Sequence, residues 1–428
     1  MEVVNELGVV FERVAALDVG KASVTVCVRV PCPDRPGRRL QEVRDYPTFT
    51  AGLLALADWL RCERVQVVGM ESTSDYWKPP FFLLEAESEA GGERRWETWL
   101  LNARHVKNVP GRAKTDKLDA MWLAKVLERG MCAPSLVHPR PIRQLRDLTR
   151  YRRTLVREQT REKQRLEKLL EDAQIKLSAV VSDLLGVSGR DMLEAMIAGE
   201  RDPAVLARKA RTRMRPKIGV LTEALTGHFE DHHAFLARRM LDRIDAVAAD
   251  IAAVEERIEA QIAPFAHLVA KLDEITGVGV ISAWELIAEI GVDMTRFATA
   301  GHLVSWAKFA PLDNRSAGKG KAGATGQGNP WLAGTLGEIV AGCARTHTFL
   351  GERYRRIRKR RGEGRAIVAV GNSILKIVWH LLSDPDARYH DLGPDFYQSK
   401  INTKRRERTL IHQLEALTGH KVTLHPVA

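Results

Sequence analysis

RVAALDVGKASVTVCVRV, residues 13–30, is the stretch that decides the fold. Residues 13–18 form a short apolar run that reads as a strand and closes on Asp18. Val19, Gly20 and Lys21 make a turn, and residues 23–30, rich in Val and Thr, read as a second strand. Outward from this pair, a Pro- and Arg-rich loop at 31–39 leads to a third strand at 40–46. Residues 49–62 carry apolar side chains at helical spacing. VQVVGM at 65–70 is another strand and delivers Glu71; residues 81–86 look helical, and 96–101 are a fifth strand. A helix over 115–129 holds Asp116 and Asp119 in its first turn.

The order β-β-β-α-β-α-β-α is that of an RNase H-like domain ending near residue 130. Asp18 and Glu71 each end a strand, and adjacent parallel strands place both carboxylates at one sheet edge. Asp116 and Asp119, three apart, share one helix face. Four hard oxygen ligands suit two Mg²⁺ or Mn²⁺ ions. Two such ions about 4 Å apart activate an attacking oxygen and stabilise a leaving oxygen at a phosphodiester. Taken singly, a helix-start Asp is ordinarily a cap or a complement to the helix dipole, and a strand-end carboxylate is ordinarily solvated. The set of four in fold order carries the metal reading.

At 428 residues the chain divides naturally into two or three domains. Its net charge of +12 and pI near 9.6 favour a polyanionic partner, nucleic acid first. Cys27, Cys32, Cys62, Cys132 and Cys343 are scattered and contain no CxxC pair. That argues against a zinc finger and a disulfide framework and fits a reducing cytoplasm. The first residues show no signal peptide. Glu285 and Glu289 break the apolar stretch 275–292, so no membrane span is expected there.

A coiled-coil middle is expected over 131–272. Residues 142–185 form a charged helical stretch with an imperfect seam, in which Leu145, Leu148, Leu155, Leu166 and Leu169 alternate with Arg152, Gln159, Glu162 and Lys176. Ala237, Met240, Ile244, Val247, Ile251, Val254 and Ile258 fill the a and d positions of a better one, which Pro264 ends. This seam suits either two helices of one subunit or pairing between subunits. Arg150, Arg152, Arg153, Arg157 and Arg161 charge the first helix, either tracking nucleic acid or keeping the helix soluble.

Residues 273–428 make a mostly helical third region. Gly277 and Gly279 sit between two short helices, the pattern of a helix-hairpin-helix that grips phosphates by backbone N–H groups. A plain tight turn gives the same pattern. Residues 309–330 are a Gly-rich loop in which Ser316 lies among Arg315, Lys319 and Lys321. A serine so placed can attack a phosphate while the cations stabilise developing charge; Ser305, Thr325 and Ser373 are rivals. Arg353, Arg355, Arg356, Arg358, Lys359, Arg360 and Arg361 form a basic run that contacts phosphates or simply solvates a helix. The last thirty residues read as a basic, partly ordered tail.

These motifs resemble a known family. LDVGK at 17–21, MESTSDYW at 70–77, KTDKLDA at 114–120, ITGVGVISA at 275–283, APLDNRSAGKGKAG at 310–323 and GNPWL at 328–332 are similar to those of the DEDD transposases of the insertion-sequence one-ten family, relatives of pilin-gene invertases. The resemblance implies a RuvC-like domain, a coiled-coil middle and a C-terminal transposase domain. It matches Asp18, Glu71, Asp116 and Asp119 to the metal-binding set, and Ser316 to a serine that becomes covalently joined to DNA. It further implies donor and target DNA, a non-coding bridge RNA that pairs with both, and a homo-oligomer in which one subunit's carboxylates meet another's serine loop. One departure is Ser74, where the family commonly has Gly; if the turn needs a positive φ, serine is strained there. Three other readings remain: a RuvC-like junction nuclease using water, an actin-like ATPase built on residues 18–21, for which no second phosphate loop is found, and a non-enzymatic nucleic-acid scaffold.

Overall fold

The computed structural model describes residues 10–35, 37–72, 74–90, 92, 94–102, 115–311, 314–316, 319–321, 325–399 and 403–423. The chain divides into two compact units, at residues 1–138 and 139–428.

The first unit is a five-stranded sheet covered on both faces. The strands are β1 (Val14–Val19), β2 (Ser23–Pro31), β3 (Arg39–Pro47), β4 (Val67–Glu71) and β5 (Glu97–Leu101), in the spatial order β3-β2-β1-β4-β5. β1, β2 and β3 pair antiparallel, while β4 lies parallel to both β1 and β5. Alternation sorts the side chains. Ala15, Leu17, Val24, Val26, Val68 and Met70 face one side, where α1 (Thr50–Cys62) and α2 (Lys78–Glu89) supply Leu53, Leu56, Leu60, Phe81 and Leu84. Val14, Ala16, Cys27, Val67 and Leu101 face the other, against Ala120, Leu123, Ala124 and Leu127 of α3 (Asp116–Glu128). Gly69 lets α3 sit close: a Cβ at this position would come to 2.9 Å from a Leu127 methyl. The expected order of strands and helices is the order found.

The second unit is built on two long helices. α4 (Arg140–Asp172) and α8 (Asp231–Ile262) run antiparallel, with Gln261 bonded to the Pro141 carbonyl, Arg152 paired to Glu255, and His233 beside Asp172 at the far end. The 32 residues of α8 span about 48 Å. Glu230 and His233 cap its start reciprocally, and Pro264 ends it at a 3₁₀ turn. Its apolar seam is buried at Ala237, Ile244, Val247 and Ile258 against α4 of the same chain. The seam therefore has a partner within the subunit.

The first helix is shorter than its periodicity suggested. It stops at Asp172 instead of running to 185, because Gln174 adopts a left-handed φ of 59°. Residues 173–176 then join residues 224–228 through bonds from the His228 amide to the Ala173 carbonyl and from the Lys176 amide to the Ala224 carbonyl. A lobe follows, with α5 (Val187–Ile197), α6 (Pro203–Ala207) and α7 (Ile218–Ala224) packed on Leu166, Leu170, Met192, Leu193, Leu221 and Leu241.

Further helices include α9 (Ala266–Asp273), α10 (Val280–Ile290), α11 (Ala300–Trp306), α12 (Pro330–Cys343), α13 (Phe349–Arg361), α14 (Glu363–Ser383) and α15 (Thr403–Thr418). α10 packs against α4 and α12, and α14 against α11, α12 and α13. Among the described residues only α14 is long and apolar enough to cross a membrane, and its Val370, Ile374, Leu375 and Val378 are buried in this helical core. The first unit is thus mixed α/β and the second mostly helical.

Candidate carboxylate site and serine hairpin

Asp18 follows Val14 and Ala16 on the α3 side of β1, and Glu71 follows Val67 and Gly69 on the α3 side of β4. Leu17 pairs with Met70, so the two carboxylates occupy neighbouring positions at the carboxyl ends of parallel strands. α3 runs back across this face. Its last residue, Glu128, pairs with Arg29 and Arg39, and its carbonyl accepts from the Val10 and Phe11 amides beside the start of β1. The first turn of α3 therefore lies toward the carboxyl ends of β1 and β4. Asp116 and Asp119 extend the sheet-facing stripe Ala120–Leu123–Leu127 backwards by one turn. Thr115 caps the helix, accepting from the Leu118 amide at 3.3 Å.

All four carboxylates thus share one face and one end of the sheet. The two helical ones stand further out. Leu127 lies over Gly69, and from there Asp119 is about 12 Å and Asp116 about 16 Å along the helix, whereas Glu71 is about 7 Å along its strand. Among the described residues no three carboxylate, imidazole or thiolate groups stand close enough to hold a metal ion. The donor set itself, acidic oxygens only, fits a hard divalent cation. Thr25, opposite Asp18, donates at 2.6 Å to Asp45 on β3, adding a carboxylate to the same face that the sequence did not single out. Ser74, in the turn after Glu71, has φ +50°, the left-handed conformation in which serine is strained.

Ser316 lies in a hairpin, where the sequence suggested an irregular loop. β6 (Asn314–Ser316) pairs antiparallel with β7 (Lys319–Lys321), Ser316 opposite Lys319 and Arg315 opposite Gly320. The segment lacks apolar alternation, which is why it read as a loop. Both ends are anchored. The Phe309 carbonyl accepts from Asn372 at 3.0 Å, and Pro311 bridges to Thr325. Asn329 caps α12 and donates to Glu289 at 2.5 Å. Of the rival hydroxyls, Ser373 donates to the Ala369 carbonyl within its own helix.

Glu289 belongs to a buried ionic network. Arg150 grips it with two bonds of 2.7 and 2.8 Å. One turn on, Arg153 donates to Glu285 and Thr335, both at 2.9 Å, and pairs with Glu338. Thr335 in turn donates to Glu285 at 2.5 Å. Arg150 and Arg157 both lie over the Trp331 ring. Burial pushes the Glu285 carboxyl above its ordinary range, against the pull of Thr335 and Arg153. These groups line a cavity of about 10 Å³, the size of one water. Arg150, Arg152, Arg153 and Arg157 therefore join α4 to α8, α10 and α12, correcting their reading as a nucleic-acid track or solubilising face. The sequence signal was Glu285 and Glu289, two acids four apart in an otherwise apolar helix, which demand cationic partners.

Two sequence-family models match the chain. One, described as a transposase of the IS110 DEDD type, covers residues 15–175. The other, the transposase IS116/IS110/IS902 family, covers residues 269–355. Together they span more than half of the chain. The protein belongs to the IS110 family of transposases. It is therefore a DNA transposase, and its DEDD family implies a divalent metal ion. No curated protein matches the chain.

Elsewhere in the transposase, the two glycines between α9 and α10 differ. Gly277 has φ +85°, and a Cβ there would lie 2.7 Å from both the Ile339 carbonyl and the Cys343 sulfur, so it serves the packing of α12. Gly279 precedes α10 with open space around it. The basic run occupies α13 and also divides. Arg353 donates to the Tyr397 hydroxyl, Arg355 to the Ala344 and Thr346 carbonyls, and Arg356 lies over the Tyr397 ring. Arg358, Lys359, Arg360 and Arg361 form the exposed last turn. Arg315, Lys319 and Lys321 have described backbones only.

Proposed function

We propose that this transposase cuts and rejoins DNA through a covalent phosphoserine at Ser316, in an RNase H-like and serine-hairpin composite site. What supports this reading most is that Ser316 lies in a hairpin within the family-matched segment 269–355, between Phe309, held by Asn372, and Asn329, held by Glu289. Asp18, Glu71, Asp116 and Asp119 are the groups to hold Mg²⁺ or Mn²⁺. When bound there, the ion supplies positive charge against the scissile phosphate.

The Ser316 hydroxyl attacks phosphorus, losing its proton as the Oγ–P bond forms. The P–O bond to a deoxyribose oxygen breaks, and that oxygen leaves as a hydroxyl after taking up a proton. Attack by a hydroxyl of the exchanged strand then breaks the Oγ–P bond and rejoins DNA. One phosphodiester is traded for another, so no high-energy cofactor is needed. Arg315, Lys319 and Lys321 are the cations nearest in sequence to offset the phosphorane charge. Gly279 and the exposed end of α13 are suited to phosphate backbone. A bridge RNA selects donor and target by base pairing, and a homo-oligomer brings carboxylates and serine together. With the α8 seam filled by α4, that assembly uses another surface.

Ser316→Ala is expected to abolish a protein–DNA adduct, and Asp116→Ala to abolish metal-dependent cleavage. An adduct that persists in both variants rules this mechanism out.

A further inference from the structure

We infer that the lobe between the two family-matched segments carries a second contact surface for duplex DNA, formed by Arg208, Lys209, Arg213 and Arg215. Six of the ten residues 208–217 (RKARTRMRPK) are Lys or Arg, and all six are exposed. The run lies outside both matched segments, 15–175 and 269–355.

The local backbone decides which cations are available. Thr212–Lys217 is a 3₁₀ helix, in which residues three apart stand in one row. The inner row is Arg211, Met214 and Lys217. Met214 packs on the lobe core, Arg211 pairs with Asp191 at 2.5 Å, and Lys217 donates to the Val180 carbonyl at 3.0 Å. Arg213 and Arg215 fall in the two outer rows. Arg208 and Lys209 follow the end of α6, beside Ala207 and Ala210, which are buried in the core. Among the described residues, Arg208, Lys209, Arg213 and Arg215 make no ion pair.

The ridge is also held. The Arg211 amide donates to Ser188 at 2.9 Å, and the Met214 amide to the Arg211 carbonyl at 2.9 Å. Between them Thr212 has φ +44°, a conformation a β-branched residue adopts only under constraint. From Arg211 to Lys217 the ridge is about 12 Å long. With Arg208 and Lys209 just before it, that is long enough to lie along several phosphates of a nucleic-acid backbone. The ridge carries no aromatic or leucine side chain to enter a lipid surface, and in a DNA transposase the polyanion at hand is nucleic acid. The inference rests on that family assignment.

The test uses the full chain and the quadruple variant Arg208→Gln, Lys209→Gln, Arg213→Gln, Arg215→Gln, with its melting temperature checked against wild type. Binding to duplex DNA of arbitrary sequence and to single-stranded RNA is measured between about 50 and 200 mM salt. Loss of four phosphate contacts lowers the slope of log K against log salt by about 3.6 for the duplex or about 2.8 for the single strand. A drop with the duplex supports the surface, and a drop with RNA alone overturns duplex DNA as its occupant. The charge-preserving pair Arg213→Lys, Arg215→Lys keeps the wild-type slope. Unchanged slopes with both probes overturn this surface alone, whereas a wild type that binds neither probe overturns the DNA-binding reading beneath it.

Discussion

Replacing Arg153 with Met removes the one cation that reaches Glu285, Thr335 and Glu338 together. Glu285 is only 8% exposed, so its charge cannot be taken up by water. Removing one partner of such a buried pair costs about 3–5 kcal/mol, because the other charge is left uncompensated. For a unit of this size that is a fall of about 10 °C in melting temperature. The loss depends on pH in a defined direction. The folded-state pKa of Glu285 is already raised by burial, and without Arg153 it rises further. A carboxyl with a raised folded pKa binds more protons folded than unfolded, so stability falls as pH climbs above the ordinary carboxylate range. The variant's deficit is therefore larger near about pH 8 than near about pH 5. The double variant Arg153→Met, Glu285→Met removes the stranded charge as well and recovers at least about 2 kcal/mol of the deficit. Urea unfolding followed by circular dichroism at both pH values measures all three. A deficit below about 1 kcal/mol, or one equal at the two pH values, refutes the buried-pair reasoning.

Two further substitutions probe backbone geometry. Ser74→Gly relieves the left-handed φ of +50° and stabilises by about 0.5–1 kcal/mol in denaturant unfolding. A neutral or negative change would mean that the turn is unstrained. Gly277→Ala introduces a methyl 2.7 Å from the Ile339 carbonyl at φ +85° and lowers stability by about 2 kcal/mol or more. A wild-type melting curve for that variant contradicts the close packing of the turn on α12.

The sheet unit was legible because its central strands are short Val-rich apolar runs bounded by turn residues, as strands buried on both faces must be. Val24, Val26 and Val28 face one side and Thr25 and Cys27 the other, so the strand ends that carry Asp18 and Glu71 follow from the pattern. The second unit was legible as helix but not as packing. The apolar seam of α8 was plain in the sequence, yet periodicity does not name a partner, and α4 of the same chain fills it. The end of α4 at Asp172 was hidden because a left-handed Gln174, rather than Gly or Pro, stops it. Charge counts likewise do not separate cations that pair internally from those that face solvent. Arg150 and Arg153 are consumed by Glu289 and Glu285, Arg355 by backbone carbonyls, while Arg358–Arg361 remain at the surface. The hairpin around Ser316 escaped because Asn314–Ser316 and Lys319–Lys321 contain no apolar residue to give a strand pattern. A serine among Arg315, Lys319 and Lys321 already suggested phosphate chemistry, and the family motif singled Ser316 out from Ser305, Thr325 and Ser373.

The most direct test of the account is the identity of the residue that carries DNA. The transposase is incubated with divalent metal, the proposed bridge RNA and a DNA substrate, denatured and digested, and the DNA-linked peptide is sequenced by mass spectrometry. The account predicts a single modified peptide with the phosphate on Ser316, absent from Ser316→Ala. DNA cleavage with no adduct, or an adduct on Ser305, Thr325 or Ser373, would contradict it.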